Sequence, residues 1–92
     1  MTRNEKLKGS GEGREVWVTE IYTGWMGEED LARLTETLKY CEEHDRDGDF
    51  KYAFQDGETL VIYSPTRDKA YKRGMYLHKK FKVYFEVKQV NL

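Results

Sequence analysis

Cysteine and proline occur once each in this chain, at Cys41 and Pro65, and histidine only twice, at His44 and His78. A lone cysteine excludes an internal disulfide and suits a reducing compartment. No stretch approaches the roughly 20 apolar residues of a membrane span. The opening "MTRNEKLKGSGEG" has no apolar run of the kind a secretory signal needs. The expectation is a soluble cytoplasmic protein with no membrane partner. The two histidines fall in different elements and neither neighbours an evident nucleophile, so no Ser-His-Asp, zinc-binding or nucleotide-binding spacing forms. The inventory points away from an enzyme and requires neither cofactor nor metal.

What the chain does have is charge and aromatic bulk. Ninety-two residues make one domain, and a hydrophobic fraction of 38% with 14% aromatics argues for a packed core rather than a disordered chain. The net charge of −1 conceals a block pattern. Residues 1–14 hold four bases against two acids, residues 15–64 four bases against thirteen acids, and residues 65–92 eight bases against two acids. Charges segregated in this way give a dipolar surface, which favours oriented association over general stickiness to polyanions.

Along the chain, residues 1–13 read as a flexible tail because "GSGEG" is glycine-rich and nothing before it is periodic. The domain proper spans 14–92. "REVWVTEIYTG" (14–24) is strand-like, with β-branched and aromatic residues closed by Gly24. "GEEDLARLTETLKYCEEH" (27–44) is helical. Leu31, Leu34, Leu38 and Cys41 form one apolar stripe, and Glu28, Glu29 and Asp30 sit where the helix dipole favours acids. "FKYAFQDGETLVIYS" (50–64) outlines a hairpin turning at Asp56-Gly57. Ser64-Pro65 resembles an N-cap followed by the first position of a second helix. "FKVYFEVKQV" (81–90) alternates as a strand.

Two readings stay open between the last two elements. In one, the second helix continues to about His78 with Ala70, Gly74, Leu77 and Phe81 as its apolar stripe. In the other, Gly74 caps the helix, and a strand starting early would put Tyr76, His78, Lys80, Lys82, Tyr84 and Lys88 in one row on the open sheet face. The cost of about 1 kcal/mol for glycine inside a helix tilts the choice toward the second.

The order β-α-β-β-α-β over residues 14–90 resembles the ferredoxin-like α+β fold, a four-stranded antiparallel sheet with two helices on one face. The resemblance implies that the first and third strands are central. Both carry apolar groups on both faces, so the open sheet face is expected to be covered, for example by a second copy in a homodimer.

"CEEHDRDGD" (41–49) begins like a calcium loop with Asp45, Asp47 and Asp49, but Phe50 and Asp56 stand where that loop requires glycine and glutamate. A helix end and a polar turn account for it, and no metal is expected. Cys41, on the apolar stripe, is expected to act as a small hydrophobe. Acidic neighbours are expected to raise its pKa. Acylphosphatases of the same fold cradle phosphate after the first strand with an arginine, whereas "TGWMGEED" (23–30) has none and three acids. RNA-recognition motifs read bases from the open face with aromatic signatures. "VWVTEIY" (16–22) is loosely similar to one of these, and "TLVIYS" (59–64) lacks the other.

The candidate binding residues lie in "TRDKAYKRGMYLHKKFK" (66–82) and just beyond: Lys69, Lys72, Arg73, Tyr76, Lys79, Lys80, Lys82 and Tyr84. Lysine and arginine can meet acidic surfaces or phosphates, and tyrosines between them can stack on bases. The leading expectation is a non-enzymatic module that recognises a protein partner by charge complementarity, as inhibitors or adaptors encoded by phage or mobile elements do. The alternative is nucleic-acid binding through segment 67–88.

Overall fold

The computed structural model describes residues 15–91, so the expected tail at 1–13 lies outside it. Six elements follow in order: β1 (Glu15–Tyr22), α1 (Glu28–His44), β2 (Lys51–Gln55), β3 (Thr59–Ser64), α2 (Arg67–Phe81) and β4 (Phe85–Asn91). The strands form one antiparallel sheet in the order β2-β3-β1-β4. This is the ferredoxin-like α+β fold, with β1 and β3 central as their two-sided apolar pattern requires. No helix among the described residues is long and apolar enough to cross a membrane.

Period-two alternation decides what the sheet buries. Register pairs Thr19 with Ile62 and Ile21 with Leu60, so these four share the face under the helices. There they meet Leu34 and Leu38 of α1, Leu77 and Phe81 of α2, and Phe50, all buried. Thr19 is the polar exception. Its hydroxyl donates to the Ala70 carbonyl at 2.7 Å, satisfying a buried group and stitching β1 to α2. The β2–β3 hairpin turns on Asp56 (φ 54°) and Gly57 (φ 72°), with the Glu58 N–H donating to the Gln55 carbonyl at 3.1 Å. The connection spans residues 56–58, and Asp-Gly supplies the two consecutive positive φ angles of its tight turn.

The structure corrects the reading of Gly74. Helix α2 runs through it to Phe81, and the stripe Ala70, Gly74, Leu77, Phe81 is buried throughout. Glycine is there because the Phe85 ring of β4 lies against the helix backbone. A Cβ on Gly74 would sit 2.4 Å from Phe85 Cδ2, closer than atoms can approach. The left-handed terminal residue is Lys82 (φ 60°, ψ 34°), whose N–H donates to the His78 carbonyl at 2.8 Å. The row of Tyr76, His78 and Lys80 on the open sheet face therefore does not exist. The helix start also shifts. Thr66 is the N-cap, its hydroxyl accepting from the Lys69 N–H at 3.2 Å, while Ser64 still pairs with Trp17 at the end of β3.

The open sheet face is mixed rather than apolar. Val18 and Val61 are buried at its centre, but a Lys88–Glu20 ion pair at 3.1 Å crosses it, and Glu86 and Lys51 stand exposed nearby.

Gly74→Ala separates propensity from packing. A glycine-to-alanine change inside a helix ordinarily gains about 1 kcal/mol. Here the displaced Phe85 ring reverses the sign, with an expected net loss of roughly 1–3 kcal/mol in urea denaturation; a more stable variant would show that the ring moves aside freely.

Candidate functional site

The acidic loop after α1 is neutralised from within the chain. Asp45 Oδ2 accepts the N–H groups of Asp49 at 2.6 Å and Phe50 at 3.0 Å, which folds the loop back on itself through Gly48 (φ 68°). That turn carries Asp49 to the first turns of α2. There its carboxylate takes Lys69 Nζ at 2.5 Å on one oxygen and Arg73 Nη2 at 2.5 Å on the other. Asp47 adds a second contact to Lys69 at 2.6 Å. Arg73 Nη1 donates to Ser64 Oγ at 2.8 Å, and its guanidinium lies over the Phe50 ring at 5.0 Å. Only 13% of the Arg73 side chain is exposed. The hydrogen bonds from Lys69 and Arg73 hold the Asp49 carboxyl below its ordinary value, and the same contacts from Asp47 and Asp49 raise the pKa of Lys69. The three aspartates that began like a calcium loop are thus occupied by cations and backbone amides. No group of three or more metal-ligating side chains gathers among the described residues.

The eight candidate residues accordingly separate into three sets. Lys69 and Arg73 are held inside the fold by the loop just described. Tyr76 lines a groove between the two helices, together with Lys72, which also makes an exposed pair with Asp68 at 3.2 Å, and Lys80 lies close by. Lys79, Lys82 and Tyr84 surround the end of the sheet where β4 begins. No carboxylate among the described residues pairs with Lys79, Lys80 or Lys82.

At that sheet end, Tyr84 projects with 83% of its surface exposed. On one side lies a hollow of about 370 Å³ lined by His78, Lys79 and Lys82. On the other lies a hollow of about 300 Å³ lined by Glu20, Tyr22, Phe85 and Glu86. His78 fixes the turn between α2 and β4 by donating from Nδ1 to the Val83 carbonyl at 2.7 Å, with its ring 5.6 Å from that of Tyr84. Glu20 and Glu86 are directly opposite across β1 and β4, an unfavourable pairing that Lys88 relieves through its contact with Glu20. Trp25, with its Nε1–H donating to the Tyr22 carbonyl at 3.1 Å, adds an exposed aromatic to the β1–α1 loop at the same end of the sheet.

Tyr22, Trp25 and Glu86 were not singled out as site residues from sequence, and His78 was expected in a row on the open sheet face rather than in the turn before β4. The one available signal was Trp25, a large aromatic between two glycines where a loop was expected. The others gain their role only from the β1–β4 pairing.

In the inter-helix groove, Tyr40 and His44 stack with ring centroids 4.0 Å apart and 23° between planes. Cys41 is half-buried beneath them. Its thiol pKa is raised, as expected, but burial is the main cause. Arg73 and Lys80 pull it down, and only Asp45 acts as the acidic neighbour that was anticipated.

No protein family's sequence profile matches this chain, and no curated protein matches it either.

The Asp49 contacts give a pH prediction with a definite sign. A carboxyl whose folded pKa lies below its unfolded value, here 3.8, contributes stability above that value and loses it as pH falls through the folded pKa. Asp49→Asn is expected to be less stable than the parent at neutral pH by roughly 1–2 kcal/mol, the worth of charge-assisted hydrogen bonds at a partly exposed site. Urea midpoints of the two proteins should converge as pH falls through the folded Asp49 pKa, which lies below 3.8. Parallel curves across the acid range would mean the carboxylate contributes nothing through its charge.

Proposed function

We propose that this chain is a small non-enzymatic binding module that recognises a protein partner with the sheet end where β4 begins. The observation that carries the reading is Tyr84, an exposed aromatic ridge between a basic hollow and an acidic one. Tyrosine supplies contact area and a hydrogen-bonding tip at small entropic cost, which is why it recurs as an anchor in interfaces. Hollows of opposite sign on its two sides match a partner surface that carries both charges. A nucleic-acid strand is uniformly anionic, and Glu20 and Glu86 would repel it along half of this surface. The open sheet face fits a second copy less well, because the Lys88–Glu20 pair interrupts its apolar centre.

Backbone conformation adds support. Lys82 adopts the left-handed region at the α2 terminus, where glycine is ordinarily preferred. A lysine in this position sacrifices some stability and adds a cation to the hollow that Tyr84 lines. The module acts by occupying its partner's surface, as an inhibitor or adaptor of phage or mobile-element origin would, in the reducing cytoplasm that suits a single free cysteine.

Affinity capture from nuclease-treated host lysate tests the reading. The parent protein is expected to retain a protein partner that Tyr84→Ala and a Lys79→Glu/Lys82→Glu double variant lose by at least tenfold, with Lys39→Glu as an unaffected control. Equal capture by Tyr84→Ala, or material that disappears on nuclease treatment, would overturn it. Lys82→Gly is expected to raise stability by about 0.5–1 kcal/mol while weakening capture.

A further inference from the structure

The groove between α1 and α2 belongs to a different surface and is independent of the Tyr84 end. It encloses about 360 Å³, within the size range of small-molecule sites. Its lining includes an exposed tyrosine from each helix: Tyr40 on α1, 59% exposed, and Tyr76 on α2, 47% exposed. Tyr40 does not have to be ordered by a ligand. His44 stacks on it and donates from Nδ1 to the Tyr40 carbonyl at 3.0 Å, so the ring is already held. Phe50 and the half-buried Cys41 provide an apolar floor.

Cations outnumber carboxylates around this floor, with Lys72 and Arg73 against Asp45 in the lining. Lys72 lines the groove, Lys80 is close enough for its charge to act on the Cys41 thiol, and Arg73 lies over the Phe50 ring. The single carboxylate in the lining, Asp45, has one oxygen turned into the backbone N–H groups of Asp49 and Phe50. Arg73 is already paired with Asp49, lies 3.7 Å from Asp45 and is held by Ser64, so the cations left for a ligand are Lys72 and Lys80. Lys72 and Lys80 sit on the exposed side and can reach a ligand.

Aromatic rings from both helices select a flat ring, because stacking is favourable on any π-face. A basic rim selects negative charge on the same molecule. We infer that the α1–α2 groove is a binding site for a planar aromatic anion of the mononucleotide class, with the base against Tyr40 and Tyr76 and the phosphate toward Lys72 and Lys80.

Cys41 reports on occupancy, since it is the only thiol in the chain and lines the groove. The experiment measures the rate of Cys41 alkylation by iodoacetamide in the intact chain, with adenosine, guanosine or uridine monophosphate added, and with inorganic phosphate or adenosine alone. At least one mononucleotide is expected to slow alkylation saturably, by at least threefold, while phosphate alone does not. Tyr76→Ala and Lys80→Glu, both at exposed positions, are each expected to weaken that protection at least tenfold in apparent affinity, and Tyr84→Ala to leave it unchanged. Three outcomes overturn the inference: no protection by any of the three nucleotides at millimolar concentration, equal protection by phosphate alone, or protection that survives both groove substitutions.

Discussion

The approach of α2 to β4 governs the rest of this fold. Because Gly74 has no side chain, the Phe85 ring lies against the helix backbone, and the helix can continue for two further turns without lifting off the sheet. That continuation brings Leu77 and Phe81 into the core. It also settles where the basic residues stand. On a helix, Arg73, Tyr76 and Lys80 follow one another at steps of three and four and so share the flank that faces α1. Lys79 and Lys82 instead reach the end of the sheet. A single packing contact therefore divides one basic stretch between two surfaces.

Charge segregation along the chain has an intramolecular use. The aspartates after α1 and the cations at the start of α2 come from blocks of opposite sign, and the loop geometry places Asp49 between Lys69 and Arg73. The acidic partner is thus the turn at residues 45–49 rather than the body of α1. Arg73, mostly buried, is satisfied by a carboxylate, a hydroxyl and an aromatic face together, as a desolvated guanidinium must be. Once these pairs form, the cations left outside the fold are fewer than the sequence suggests.

What remains exposed sorts into two kinds of surface. The sheet end joins an aromatic ridge to hollows of both signs, a pattern that matches the mixed charge of a protein surface. The inter-helix groove joins two tyrosines to an excess of cations over an apolar floor, the features on which the proposed planar anion would depend. Each borrows rigidity from a histidine of its own: His78 locks the entry to β4, and His44 holds the Tyr40 ring.

Local patterns were enough to determine the element order, the α1 stripe and the Asp56-Gly57 hairpin, because each depends on periodicity or turn chemistry within a few residues, while the central place of β1 and β3 followed from the fold that this order resembles. The end of α2 was not legible. Glycine propensity favours a stop at Gly74, and the Phe85 ring that requires glycine inside the helix is eleven residues away and on another element. The N-cap was misplaced for a similar reason: the Ser64 hydroxyl is engaged by Arg73 across the fold, leaving Thr66 to cap. The basic residues themselves were identified from composition, but their assignment to structural pairs, groove or sheet end was decided only by tertiary contacts. Charge type is a property of the sequence, whereas whether a charge is neutralised depends on what the fold brings within a few ångströms of it.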